Sequence, residues 1–133
     1  LVEAVCVDPK EVHKVWPHAR SLIISAILAT DLSDPADIEY DILNGDQLLW
    51  LAWDGEKIEA AASSSLSKIS GNLICTITAC GGTNMRDWLP LFSQIEQYAK
   101  DEGCTRVRIY GRRGWSRVLE GYKATHAVME RSI

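Results

Sequence analysis

The first third of the chain carries two helix start signals, each built from an aspartate followed by a proline. Residues 8–11 (Asp-Pro-Lys-Glu) offer a cap, a proline for the first turn and a glutamate that can close a capping box. Pro17 then predicts a break or kink before the apolar run 22–28. The same signal recurs at residues 34–37, and Asn44-Gly45 supplies a stop. The pattern predicts two N-terminal helices.

The middle of the chain alternates in a way that is typical of strands. Gln47–Trp53 is rich in Leu and Trp, and Asp54-Gly55 after it is a strong hairpin signal, so Lys57–Leu66 is the predicted return strand. That return strand is rich in Ala and Ser, which leaves room for a ligand or for a closely packed helix. Leu73–Cys80 is a third β-prone run. Cys75 and Cys80, five apart on it, are expected on opposite faces.

Helical periodicity returns after Gly81-Gly82 and ends at Gly103. Pro90 is compatible with a helix only in the first turn, so we expect the helix to start near Trp88 with Asp87 as its cap. Its apolar stripe is Trp88, Phe92, Ile95 and Ala99. Two strands and a short turn or helix complete the pattern. The strands are Thr105–Tyr110 and about Thr125–Ile133, and the turn or helix is Trp115–Leu119.

Length and composition set the class of protein. A chain of 133 residues, 47% hydrophobic and 24% charged, is predicted to form a single globular domain over residues 1–133. No apolar run has the roughly 18 residues that span a bilayer, and the N-terminus lacks a signal-peptide pattern, so we expect a cytoplasmic protein. Four cysteines without paired spacing are interpreted as buried thiols, with a metal or disulfide role as the alternative.

The net charge of −4 is unevenly distributed. Residues 101–133 hold seven Lys and Arg against four Asp and Glu, whereas residues 1–100 are acidic. The basic cluster can attract phosphate or nucleic acid, or it can be a solvated face. An acidic chain makes nucleic-acid binding a poor hypothesis. The cluster consists of Arg106, Arg108, Arg112, Arg113 and Arg117.

Gly81-Gly82 separates a predicted strand from a predicted helix, an arrangement that places backbone amides where an anion can be held. An ordinary loop is the alternative. Arg86, a few residues on, can add a charge-assisted contact. The pattern therefore suggests a ligand that carries a pyrophosphate.

The order of elements resembles that of the GNAT superfamily of acyl-CoA-dependent N-acyltransferases. The better matching pieces are 89–104, with its Ala-Lys-Asp-Glu-Gly-Cys ending, and 115–122, which resembles the family's helix followed by Gly-Phe. The resemblance covers nearly the whole chain. It implies an α/β fold with a central mixed, mostly antiparallel sheet flanked by helices, and a cleft where the strands Leu73–Cys80 and Thr105–Tyr110 splay apart.

The resemblance also implies a function, which is transfer of an acetyl group from acetyl-CoA to an amine acceptor. The family's pyrophosphate loop, R/Q-x-x-G-x-G/A, corresponds here to the altered stretch 81–86. Strand backbone near Ala79 and Cys80 is expected to polarise the thioester carbonyl. The implied cofactor-binding residues are Ala79, Cys80, Gly81, Gly82, Thr83, Asn84, Met85 and Arg86.

The acid expected from the family is missing. Many members carry a Tyr four residues before the Gly of the Gly-aromatic pair, and Arg117 stands there in this chain. A guanidinium cannot donate a proton at neutral pH. Tyr110 is the candidate substitute, and a strand aromatic packed with its tip in water is the alternative reading. The altered loop and missing acid also agree with a second hypothesis, a non-catalytic GNAT-like phage or prophage protein of the virion or of DNA ejection.

Other chemistries find little support in the sequence. The three histidines are dispersed, so no metal site is predicted. Ser63, Ser64 and Ser65 lack a nucleophile elbow and are interpreted as strand surface. Glu39 and Glu59 can act as bases only where folding brings them to the cleft. A nucleic-acid adaptor using the arginines has only Tyr110 and Trp115 as interleaved aromatics.

Overall fold

The structure, a computed structural model, describes residues 2–111 and 113–133, without the side chains of residues 85–88 and 113. The described residues form five strands, three α-helices and a short 3₁₀ helix. In chain order they are β1 Glu3–Cys6, α1 Val12–Thr30, α2 Pro35–Leu43, β2 Leu48–Trp53, β3 Ile58–Ile69, β4 Asn72–Gly82, α3 Met85–Asp101, β5 Arg106–Ile109 and the 3₁₀ helix Arg113–Arg117.

The strands form one sheet in the order β1-β2-β3-β4-β5. The first three neighbouring pairs are antiparallel, and β4 pairs with β5 in parallel. A parallel pair needs a crossover, which α3 supplies. The predicted α/β fold with a mixed, mostly antiparallel sheet is confirmed.

Helices cover both faces of the sheet. On one face α1 and α2 bury a cluster that includes Ile23, Ile27 and Ile42 against β2 and β3. On the other face Phe92 and Ile95 of α3 pack over β2, β3 and β4. The alanines of β3 divide between the two clusters, so the small residues of this strand serve close helix packing on both sides.

The N-terminal region differs from its prediction in three ways. Strand β1 was not predicted, and its partner β2 lies far along the chain, with Glu3 opposite Trp53. Asp8 does not cap α1: its side chain accepts from the backbone N–H of Lys10 at 2.9 Å, and the helix begins at Val12. The predicted break at Pro17 is wrong. The proline lies in the second turn and the helix continues to bury Trp16, Ala19, Ile23 and Ile27.

Two local signals are confirmed. Asp34 caps α2, accepting from the backbone N–H of Ala36 at 2.9 Å, and Asn44 ends that helix before Gly45 at φ +80°. The hairpin between β2 and β3 turns at Asp54 and Gly55, the glycine at φ +101°. Asp54 closes this turn by accepting from the N–H of Lys57 at 2.7 Å.

The second half of the chain differs from its prediction in the start of one helix and in the absence of one strand. Helix α3 begins at Met85 rather than near Trp88, with Pro90 in its second turn. The predicted strand Thr125–Ile133 is wrong, since those residues form no strand. Tyr122 is anchored on α3 by a 2.6 Å hydrogen bond to Glu96, and Val128 beyond it is 66% exposed. Strand propensity without buried neighbours does not form a strand.

Candidate functional site

The pairing between strands β4 and β5 ends in the middle of β4. Their parallel pairing runs from Ile74 opposite Arg106 to Ile77 opposite Ile109. The last hydrogen bond joins the backbone N–H of Tyr110 to the carbonyl of Ile77 at 3.0 Å. Residues 78–82 of β4 continue without a β5 partner. The structure thus has the splay that the sequence predicted between these two strands.

A β-bulge in β4 coincides with the start of the splay. Ser63 of β3 lies opposite Ala79 and Ser64 lies opposite Ile77, which leaves Thr78 as an extra residue. Because a bulge shifts the alternation of side chains, Cys75 and Cys80 both join the cluster under α3. The expectation that they face opposite sides is therefore wrong.

The splay opens into a cleft of about 280 Å³. Its walls come from α1, from the end of β4 and from the segment after β5. None of the described lining residues is charged, and most are small. They are Leu22, Ser25, Ala26, Ala29, Thr30, Cys80, Gly81, Gly82, Thr83, Tyr110 and Trp115.

Gly81 of β4 lies close against the backbone of α1. A Cβ at this position would stand 2.4 Å from the carbonyl oxygen of Leu22 and 3.4 Å from the Cβ of Ala26. Gly81 and Gly82 pair with Ala61 and Ala60 as part of β4. The predicted glycine turn is therefore wrong, because these glycines are strand residues, and Gly81 allows close helix packing.

The connection from β4 to α3 consists of Thr83 and Asn84 alone. Thr83 lines the cleft. The first turn of α3 follows at once, so its backbone N–H groups, which have no partner within the helix, lie directly after the strand that borders the cleft. The side chains of Met85 and Arg86, both predicted to bind the cofactor, lie outside the described residues.

Tyr110 stands at the opposite wall of the cleft, immediately after β5. It is 39% exposed. The neighbouring Gly111 is covered by the indole of Trp115, whose Cε3 would be 2.7 Å from a Cβ on that glycine. Trp115 in turn meets the ring of Phe92 edge to face, with centroids 6.3 Å apart. The aromatic contacts hold the wall that carries the Tyr110 phenol.

The architecture is similar to that of many solved acetyltransferases. An aminoglycoside acetyltransferase from an uncultured soil metagenomic sample, solved with sisomicin, superposes with a TM-score of 0.69 at 11% identity over 99% of this chain and 95% of its own. A predicted acetyltransferase from Clostridium acetobutylicum, solved with acetyl-CoA, superposes with a TM-score of 0.65 at 12% identity, over 99% of this chain and 96% of its own. A GNAT family acetyltransferase from Staphylococcus aureus superposes with a TM-score of 0.61 at 12% identity, over 99% of this chain and 98% of its own.

The chain has the GNAT fold. No protein-family model and no curated protein sequence matches it, so the likeness lies in the structure. The three neighbours lend no support to the virion or DNA-ejection hypothesis. No described helix has the length and apolar character that a bilayer crossing requires.

Cys80 is the only cysteine among the described residues that line the cleft of this GNAT fold. Burial raises the pKa of this thiol to about 12. It is therefore protonated at neutral pH, and a thiol is a far weaker nucleophile than a thiolate. The cleft favours direct attack by an acceptor over an acyl-cysteine intermediate.

None of the described side chains of the basic cluster lines the cleft. Val107 and Ile109 of β5 pack toward α3, so the alternate residues Arg106 and Arg108 lie on the other face. Arg117 ends the 3₁₀ helix, is exposed, and is not among the described lining residues. Arg112 and the side chain of Arg113, which also belong to the cluster, lie outside the described residues.

The carboxylates proposed as bases are engaged elsewhere. Glu39 accepts from the guanidinium of Arg20 at 2.7 Å and from the indole N–H of Trp16 at 2.6 Å. These hydrogen bonds, that of Arg20 first, lower the pKa of Glu39. Glu59 forms an ion pair with Lys57 at 3.4 Å. Glu39 ties α1 to α2, and neither carboxylate lines the cleft.

Sequence reasoning missed the contributions of α1 and of the serines on β3. Ser25, Ala26 and Ala29 follow one another at helical spacing, a signal that also fits an ordinary packed helix. Ser63 and Ser64, interpreted as strand surface, are buried at 0% and 2% exposure. Their hydroxyls bond to Thr78 and to the indole of Trp50, partners that only the sheet register brings close.

Proposed function

We propose that this chain transfers an acetyl group from acetyl-CoA to an amine. The observation that carries the proposal is the cleft between β4 and β5, where residues 78–82 of β4 run on beyond the last β5 hydrogen bond. A strand edge of this kind can pair with an extended ligand that contains amides, as the pantetheine arm does. Every described lining residue is uncharged, which suits an uncharged acyl arm.

The start of α3 supports the same ligand at its other end. Helix α3 has 17 residues, and its first N–H groups follow Thr83 and Asn84 directly. Helix N-termini attract anions through free N–H groups and the helix dipole. We assign residues 83–86 to the diphosphate, and Ala79 to Gly82 to the arm and thioester. When bound, acetyl-CoA supplies the activated acetyl group.

The chain's own residues then provide position and charge stabilisation. The backbone of Cys80 donates toward the place where negative charge develops on the carbonyl, since strand amides are fixed before reaction and cost no reorganisation. Tyr110 is the proposed acid: its phenol stands across the cleft from Cys80 and is 39% exposed, so it can exchange its proton with solvent. The small side chains of α1, Ser25 and Ala29, leave the opening through which an amine can approach.

The acceptor is proposed only as an amine. The soil acetyltransferase with the same fold was solved with the aminoglycoside sisomicin, a polyamine. The described cleft lining here contains no carboxylate that would pair with a polycation. We therefore favour an acceptor whose reacting end presents a single neutral amine over a polycationic one.

The test is acetyl transfer to a panel of amines. Purified protein, acetyl-CoA and each amine are incubated, and both free CoA thiol and the acetylated product are measured by mass spectrometry. The panel pairs monoamines with polyamines of similar size. Turnover that depends on enzyme and on an amine supports the proposal. Absence of product with every amine, at concentrations that saturate acetyl-CoA binding, overturns it.

A further inference from the structure

A directional chain of hydrogen bonds runs beneath the bulge of β4. An amide oxygen only accepts, so Thr78 donates its hydroxyl proton to Oε1 of Gln47 at 2.7 Å. The Ser63 hydroxyl, 2.7 Å from Thr78 Oγ1, is therefore the donor to Thr78. Gln47 continues the chain by donating from Nε2 to a carboxylate oxygen of Asp41 at 3.1 Å. The Thr78 hydroxyl also lies 3.4 Å from the backbone carbonyl oxygen of Ser63, a second and more distant acceptor for the same proton.

The hydrogen-bonded side chains of Thr78, Gln47 and Ser63 lie in the interior of the protein. Thr78 is 7% exposed, Gln47 6% and Ser63 0%. Polar groups at such depth are costly unless they are paired, and here each has a partner. These hydrogen bonds tie the bulge in β4 to three other segments, which are α2, the residue before β2, and β3.

The bulge decides which backbone groups of β4 face the cleft. The carbonyls of Leu73 and Ile77 accept from Thr105 and Tyr110, so the odd-numbered residues of this stretch direct their peptide groups toward β5. Ala79, however, lies opposite Ser63, and Gly81 opposite Ala61. Because the bulge inserts one residue, the outward positions beyond it move to Cys80 and Gly82.

We propose that Thr78, held by Ser63 and Gln47, is a positioning residue that fixes the bulge and so turns the backbone N–H of Cys80 into the cleft. The role of that N–H toward a thioester carbonyl rests on the proposed function. The effect of Thr78 on the bulge does not. Removing the hydroxyl leaves Ser63 without its acceptor and Gln47 without its donor, so the bulge loses both of these supports.

The chain offers closely matched variants. Thr78→Val removes the hydroxyl while keeping the shape, and Thr78→Ser restores it without the methyl. Thr76→Val is the control: Thr76 is also buried in β4, at 6% exposure, but pairs regularly with Ser65 before the bulge. The readouts are the backbone amide signals of Ala79 and Cys80 in ¹⁵N NMR spectra, the Kd for CoA, and kcat.

In Thr78→Val we expect the amide signals of Ala79 and Cys80 to move, and kcat to fall by about 10²-fold, the usual cost of losing one donor to a developing oxyanion. The Kd for CoA should change by less than about threefold, because most of the ligand contacts lie elsewhere. Thr78→Ser and Thr76→Val should resemble the wild type in all three readouts.

Unchanged Ala79 and Cys80 signals in Thr78→Val, or an equal effect of Thr76→Val, overturn the proposal. Where Thr78→Val does not fold, Ser63→Ala removes one support from the same chain and is judged by the same signals. A protein that transfers no acetyl group overturns the proposed function, and the amide signals alone then decide whether Thr78 holds the bulge.

Discussion

Gly81 of β4 lies against the backbone of Leu22 in α1, so close that a Cβ would stand 2.4 Å from the Leu22 carbonyl oxygen. The contact brings the helix to the strand at the point where the strand borders the cleft. Since the neighbour is backbone rather than a flexible side chain, it cannot move away cheaply. The distance between α1 and β4, and therefore the width of the cleft, depends on this glycine.

Gly81→Ala should destabilise the protein by about 1–3 kcal/mol, the usual cost of overpacking a filled interior. Urea unfolding measures it. Gly114→Ala is the control, because nothing lies within 4 Å of a Cβ there. Equal stability of wild type and Gly81→Ala would show that α1 can shift without cost, against our account of the cleft wall.

Tyr110→Phe should lower kcat by about 10²-fold or more if the phenol donates a proton during transfer. The Kd for CoA should stay nearly constant, since only the hydroxyl is lost. Tyr40→Phe, an exposed tyrosine of α2, is the matched control. Steady-state kinetics over a range of pH would measure kcat for both variants. Unchanged kcat in Tyr110→Phe would remove Tyr110 as the acid.

Cys80→Ala should retain transfer within a few-fold of wild type, because a thiol whose pKa is raised to about 12 by burial is not a nucleophile at neutral pH. Intact-protein mass spectrometry after mixing with acetyl-CoA provides the second measurement. An acetylated wild-type protein that Cys80→Ala fails to form would establish a covalent intermediate and contradict direct attack.

Glu39 should make the protein less stable in acid. Its folded pKa is lowered by the hydrogen bonds from Arg20 and Trp16. The stabilisation is therefore present above the unfolded pKa, near 4.5, and is lost as pH falls through the lower folded value. Melting temperature against pH should fall less steeply between about pH 5 and 2 in Glu39→Gln than in wild type.

Features encoded by neighbouring residues were predictable from the sequence. The Asp34 cap and the Asp54-Gly55 turn depend on side chains and backbone within a few residues, and both formed as predicted. The order strand, helix, strand from β4 to β5 followed from periodicity, and the resemblance to the GNAT superfamily predicted the splay between these strands.

Features that depend on distant partners were not predictable. Strand β1 has only 4 residues and is defined by its pairing with β2. The Thr78 bulge depends on Ser63 and Gln47, which lie 15 and 31 residues away along the chain. Gly81 carries the same sequence signal as a turn glycine, and only its contact with Leu22 distinguishes a strand glycine that admits a helix.

The most direct test of the account is a calorimetric titration of the protein with acetyl-CoA, alongside one with pantetheine, which lacks the diphosphate and nucleotide. We predict one saturable site for acetyl-CoA, weaker binding of pantetheine because the N-terminus of α3 then has no anion to hold, and a higher melting temperature at saturation. No heat of binding and no shift in melting temperature at millimolar acetyl-CoA would contradict the assignment of the β4–β5 cleft as an acyl-CoA site.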